Sequence, residues 1–141
     1  MNIMDKIEII GPNKEFEDAM RNKIKQHFEP VGINVLSLFD GISGTQVALD
    51  RMGVKVDNYH ASEIDSYAMK TTLKNYPSTI MLGDVNNWES WDIDWSSIDL
   101  VVGGFPCQAW SNAGLKKGDK DPRGMLFWTM LDVMKLVLEK N

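Results

Sequence analysis

Apolar and polar residues alternate along this chain with two different periods. Between Asn13 and Phe28, apolar residues stand at Phe16, Ala19, Met20, Ile24 and Phe28. These are steps of three and four, so the segment predicts an amphipathic helix. Gly11-Pro12 breaks the chain before it, and Pro30 with Gly32 ends it. Packing on its own domain is expected of such a helix, with docking on a partner as the rival role. From Ile33 to Phe39 the pattern changes to a short continuous apolar run, bounded by Gly32 and Asp40-Gly41, which fits a buried strand. Gly41 and Gly44 then make a turn, and Thr45 to Met52 follows as a helix closed by Gly53.

The same alternation repeats. VDNYHASEID predicts a second strand ending near Ser62-Glu63. Asp65 to Tyr76 predicts a helix that Asp65 or Ser66 can cap and Pro77 stops. STIMLGDV predicts a third short strand ending at Gly83-Asp84. Asn86 to Ser97 is a polar connection carrying Trp88, Trp91 and Trp95, for which packing at the sheet edge is expected over stacking on a base. Ile98 to Val102 predicts a fourth strand. Pro122, suited to a first turn, opens a final helix. Four rounds of strand and helix make an α/β fold with a parallel, Rossmann-like sheet the simple choice. Residues 1–30 are expected to form a helical extension and residues 31–141 the α/β domain.

The final helix adds a second expectation. Its polar residues, Thr129, Asp132, Lys135 and Glu139, form one narrow stripe, and apolar residues cover nearly everything else. A helix apolar over most of its circumference expects neighbours on more than one side. The alternation stops at Asn141, where another strand–helix unit should begin. A second half, a partner subunit or a second copy is expected to cover that face, with the edge of the fourth strand as the other self-association surface.

Composition changes this picture little. The 141 residues are 43% hydrophobic and 25% charged, ordinary for a soluble domain. The apolar runs are too short to span a bilayer, and the N-terminus lacks the pattern of a secretory signal. One cysteine excludes an internal disulfide framework and points to a cytoplasmic setting. His27 and His60 have no metal-ligand spacing, and no metal is expected. Charge matters more. Fifteen basic against twenty acidic residues give a net charge of −5, unlike a domain that holds nucleic acid by itself.

In open α/β sheets the ligand lies at the carboxyl ends of the strands. Those ends hold Asp40, Glu63, Asp84 and the turn Phe105-Pro106-Cys107. A carboxylate at the end of the second strand suits a ribose diol, and Glu63 stands there. Asp84 and Ile64 suit an adenine amino group and ring. Each acid alone is more often a helix cap than a ligand contact. Asp40 adds an argument of its own. It occupies the turn, D-G-I-S-G, where a dinucleotide fold would need to accept pyrophosphate. An acid there disfavours a dinucleotide and favours a cofactor with a positive end, such as S-adenosylmethionine with its sulfonium and ammonium.

The segments VLSLFDGISG, ASEID, GDV, DLVVGGFPCQAWSNAG and RGMLFW occur in this order from Asn34 to about Leu138. Together they resemble the first four motifs of the DNA (cytosine-5)-methyltransferases and the helix after them, with a weaker likeness to de novo-type and phage enzymes. GGFPCQAWS is the most specific of them. The resemblance implies an S-adenosylmethionine-dependent methyltransferase fold of bacterial or phage origin. It implies that Phe39, Asp40, Gly41 and Gly44 line the methionine part of the cofactor. Glu63 would hold the ribose, Ile64 pack on adenine, and Asp84 bond the adenine amino group beside Val85. Pro106 and Leu126 would line the same pocket. Cys107 would be the nucleophile that adds to carbon 6 of cytosine and makes carbon 5 reactive, on a base taken out of the duplex. Gln108 and Ser111 are candidates for DNA contact. Lys116, Lys117, Lys120 and Arg123, in and beside a Gly/Lys/Asp loop, are candidates for phosphate contact.

The family pattern is incomplete. No Glu-Asn-Val segment, no Gln-x-Arg-x-Arg segment and no basic target-recognition region is present. The acidic cofactor half is here and the DNA-reading half is not, which accounts for the charge. Weak DNA binding and little or no activity are expected of these residues alone. Two other functions compete: a non-catalytic module that binds S-adenosylmethionine or a partner, and a methyltransferase acting on RNA.

Overall fold

The strand–helix alternation folds into four parallel strands in the order β3-β2-β1-β4, in a computed structural model that describes residues 8, 10–27, 30–107 and 122–141. The chain divides into two compact units, Met1–Val31 and Gly32–Asn141. The first holds α1 (Lys14–His27), entered through Asn13, whose side chain accepts the Phe16 amide at 2.9 Å. The second runs β1 (Ile33–Leu38), α2 (Gly44–Arg51), β2 (Val56–Ser62), α3 (Ser66–Asn75), β3 (Ile80–Met81), two 3-10 turns (Val85–Ser90 and Trp95–Ser97), β4 (Leu100–Gly103) and α4 (Pro122–Lys140).

β1 is the centre of the sheet, and its residues face two different cores. Leu36 and Leu38 pack with Val85, Trp91, Ile98, Val133 and Val137 on one face. Val35 packs with Leu49, Tyr59 and Ala61 on the other. A continuous apolar run is what a strand covered on both faces requires. The choice of cap for α3 is settled: Asp65 accepts the amides of Tyr67 and Ala68 at 2.9 and 2.8 Å. α2 closes as expected, with Gly53 at φ 70° just beyond its end.

Three expectations need correction. The third strand is only Ile80–Met81: the Leu82 amide still reaches the Ala61 carbonyl at 2.8 Å, and Gly83 at φ 74° then turns the chain away. The fourth strand is Leu100–Gly103, displaced from Ile98–Val102, because Ile98 turns inward as core beside Trp91 and β1 pairs with β4 from Leu100. The tryptophans of the polar connection pack in the core with Leu36 and Leu38 of central β1 and not at the sheet edge. Trp91 is 9% exposed within the core, stacked on Trp95 at 6.3 Å, and Trp88 meets Trp95 edge-on at 6.0 Å.

α4 lies against this core through Leu126, Met130, Val133 and Val137, a stripe of four-, three- and four-residue steps. Gly103 makes the close approach possible. A Cβ there would stand 3.2 Å from the Met130 sulfur and 3.3 Å from the Leu38 Cβ. The other apolar residues of α4 behave as the pattern predicts for an uncovered helix: Met125, Trp128, Leu131, Met134 and Leu138 are exposed. β4 is an edge strand of the sheet. No helix among the described residues is long and apolar enough to cross a membrane.

Candidate active site

The carboxyl ends of the four strands meet along one edge, and the turn after β1 is its most constrained part. Phe39 at φ 57° and Ser43 at φ 68° adopt left-handed backbone that side chains rarely take, with Gly41 at φ 61° between them. Hydrogen bonds hold this turn in place. The Asp40 amide donates to the Ser62 carbonyl at 3.0 Å, carrying the β1–β2 pairing one step past the strand. The Gly41 amide donates to Glu63 Oε2 at 2.7 Å. Glu63 Oε1 accepts the amides of Ile64 and Asp65, both at 2.8 Å. This single carboxylate therefore ties the turn after β1 to the turn after β2. Three of its roughly four acceptor positions are in use, leaving one on Oε2 for a ribose hydroxyl.

Asp84 likewise works within its own turn, accepting the backbone and side-chain nitrogens of Asn86 at 2.9 and 3.0 Å. The Ser62 hydroxyl donates to the Gly83 carbonyl at 2.8 Å and joins β2 to the end of the third strand.

These turns enclose two neighbouring cavities. One, of about 220 Å³, is lined by Phe39, Ser62, Glu63, Ile64, Asp84, Val85, Asn86, Pro106 and Leu126. Its walls are mainly apolar, with the acids at the rim, which suits a flat heteroaromatic ring carrying a sugar. The other, of about 420 Å³, lies at the ends of β1 and β4 and includes Phe39, Asp40, Gly44, Gly103 and Gly104. Phe39 stands between the two. Of the ten residues expected around a cofactor, seven line the first cavity and Phe39, Asp40 and Gly44 the second. Gly41 lines neither and contributes its amide to Glu63. The residues present fit S-adenosylmethionine on two observations of this structure. The apolar cavity suits its adenosine. Asp40 Oδ2, buried and without a partner among the described residues, suits its positive end.

Cys107 ends the turn after β4, exposed as a free thiol. Aromatic packing anchors this turn: the Phe105 ring lies 5.1 Å from that of Phe127 on α4, which meets Trp128 at 5.2 Å. Gln108, Ser111, Lys116, Lys117 and Lys120 lie outside the described residues. Arg123 is exposed in the first turn of α4. His60 on β2 is pushed below the usual histidine range by burial, opposed by a hydrogen bond at the Val35 backbone, and its Nδ1 has no partner among the described residues. Among the described residues, no His, Cys, Asp and Glu are grouped to hold a metal ion.

One residue beside the site had no signal in the sequence. Tyr59 on β2 is 4% exposed, and its hydroxyl donates to Asp40 Oδ1 at 2.8 Å. Burial pushes its phenol up to about 12; the Ser37 hydroxyl works against this and Asp40 adds to it.

A parallel β3-β2-β1-β4 sheet with a strained turn after β1 and acids at successive strand ends defines the class, a Rossmann-like methyltransferase domain. Its fold is similar to the solved structures of Spodoptera frugiperda DNMT2 (a triple mutant) and S. pombe Dnmt2. Each matches with a TM-score of 0.50 at 20% identity, over 77% and 73% of this chain and 40% and 29% of theirs. The chain belongs to the C-5 cytosine-specific DNA methylase family, whose model matches residues 33–140, and whose cofactor is S-adenosylmethionine. Among similar curated proteins, an orphan methyltransferase of Bacillus phage rho11s is 39% identical over 105 residues, 73% of this chain and 20% of its own length. The type II methyltransferase M.Eco47II of Escherichia coli is 39% identical over 111 residues, 75% of this chain and 25% of its own. M.NlaX of Neisseria lactamica is 37% identical over 107 residues, 76% and 33%. The chain thus spans about a fifth to a third of the length of these relatives.

Proposed function

We propose that this chain is the cofactor-binding and nucleophile-bearing part of a cytosine-5 DNA methyltransferase. The observation that carries the reading is the apolar cavity, where seven residues from four separate strand ends and α4 converge beside the turn that bears Cys107. Bound S-adenosylmethionine supplies an electrophilic methyl group. Phe39, Ile64, Val85, Pro106 and Leu126 hold its adenosine and exclude water, Glu63 orients the ribose, and Asp84 receives the adenine amino group. The Cys107 thiolate adds to carbon 6 of an extruded cytosine, and the carbon–sulfur bond turns the ring into an enamine nucleophilic at carbon 5. After methyl transfer, loss of the carbon 5 proton to a base and departure of the thiolate restore the aromatic ring.

The DNA-reading part comes from a second segment or subunit that covers the exposed side of α4 and pairs with the β4 edge. Relatives of which this chain matches only 20% to 33% support this, as does a net charge of −5, ill suited to a phosphate surface. Alone, the chain holds DNA weakly and does not methylate it. A cytoplasmic location goes with this reading. Association of two copies through the same face is the rival arrangement, and sedimentation at high concentration separates the two.

The test is calorimetric titration with S-adenosylhomocysteine, comparing the parent with Ile64→Ala. Ile64 is 74% exposed and lines the cavity. Its truncation therefore removes a ligand contact without touching the core, unlike a change at Glu63. Binding by the parent that weakens several-fold in the variant is expected. Binding that ignores Ile64, or no binding at all, would count against the reading.

A further inference from the structure

A buried polar cluster lies beneath the turn after β1. Besides Tyr59 it contains Ser37 and Ser43, which are 3% and 0% exposed, and Ser43 accepts the Gln46 side-chain amide at 2.8 Å. The same amide donates to the Thr79 hydroxyl at 2.8 Å, so the turn after β1, α2 and the residue before β3 are linked. Among the described residues, this cluster reaches the Asp40 carboxylate from the Tyr59 hydroxyl, at Oδ1, while the Ser43 amide donates to the Asp40 backbone carbonyl at 3.1 Å. Asp40 Oδ2 is buried and has no hydrogen-bond partner among the described residues. An unpaired buried carboxylate oxygen is costly, and a native fold keeps one for a reason. Asp40 also borders the larger cavity, next to the glycines that follow β1 and end β4. A carboxylate with one oxygen clamped and the other vacant is arranged to receive one donor, and a cationic donor is favoured most.

We propose that Tyr59 is a positioning residue for the cofactor: its hydroxyl fixes the Asp40 carboxylate so that Oδ2 meets the α-ammonium at the methionine end. This rests on the reading of the cavities given above. Tyrosine suits the task because its rigid ring reaches from the covered face of β2 to the turn and places a donor there. It carries no charge that would compete with the ammonium. Phenylalanine would fill the same space and leave Asp40 free to turn.

The experiment compares two probes that differ in one group: S-adenosylhomocysteine and its deamino analogue, with hydrogen in place of the α-amino group. Both are titrated calorimetrically into the parent, Tyr59→Phe, Asp40→Asn and the double variant. The parent is expected to prefer S-adenosylhomocysteine. Tyr59→Phe weakens that probe about tenfold, the size of a hydrogen bond to a charged group, and leaves the deamino analogue within about twofold. Asp40→Asn removes the preference, and adding Tyr59→Phe to it changes nothing further. A merely structural tyrosine would weaken both probes equally, and that outcome overturns the proposal. So does a parent that binds the two probes alike, although the cofactor reading then stands. A parent that binds neither probe overturns the cofactor reading and this inference together.

Discussion

The carboxylates and the thiol of this site are built into the fold in opposite ways. Asp40, Glu63 and Asp84 each accept hydrogen bonds that shape the surrounding turns, and Glu63 alone takes three backbone amides. Cys107 is exposed, and its turn is anchored through Phe105 against Phe127 and so through α4. The acids are therefore part of the framework as well as the groups proposed to meet the cofactor, whereas the thiol is only carried by the framework. A cofactor that must be gripped in one pose gains from preorganised acceptors. A nucleophile that must meet a base brought in from outside gains from access.

Substitutions can break or sharpen this contrast. Glu63→Gln has the largest expected effect. It puts an amide nitrogen where an oxygen now accepts from backbone, and a loss of about 2–3 kcal/mol of stability is expected in urea unfolding. Next comes Phe127→Ala, which removes the ring that anchors Phe105. A loss of about 1–2 kcal/mol is expected, together with a change in thiol-labelling rate at Cys107. Tyr59 gives a pH dependence. Its folded value lies above its unfolded one, so its contribution to stability is whole below about pH 10 and is lost as pH rises through about 12. Unfolding midpoints measured across that window should fall more steeply in the parent than in Tyr59→Phe. Cys107→Ser has the smallest expected effect on the fold, within about 0.5 kcal/mol. If Cys107→Ser cost more stability than Glu63→Gln, the contrast would be wrong.

Much of this was legible in the residues. The apolar run of β1, the glycines after it and the acids at strand ends all follow from local rules, and so does Asp65 before α3. What stayed hidden depends on partners distant in sequence. Tyr59 sits within a mixed stretch, VDNYHAS, whose alternation marks a strand without telling which residue meets a turn nineteen positions earlier. The tryptophans lie in a polar segment, and only their packing under α4 makes them core. The extra duty of Glu63 is equally invisible, because backbone amides leave no trace in a sequence.

The pairing of β4 with β1 has a consequence for how the domain assembles. β1, β2 and β3 follow one another closely in the chain, but β4 reaches β1 across a long separation. Asp99 binds the Asn34 amide from 65 residues away. Closing so large a loop is entropically slow compared with the nearby crossovers. During synthesis, every carboxylate of the site has left the ribosome before the strand that carries the thiol. Asp40, Glu63 and Asp84 can thus take up their turns before β4 brings Pro106 and Cys107 to the edge, and Leu126 on α4 is the last wall of the cavity to arrive.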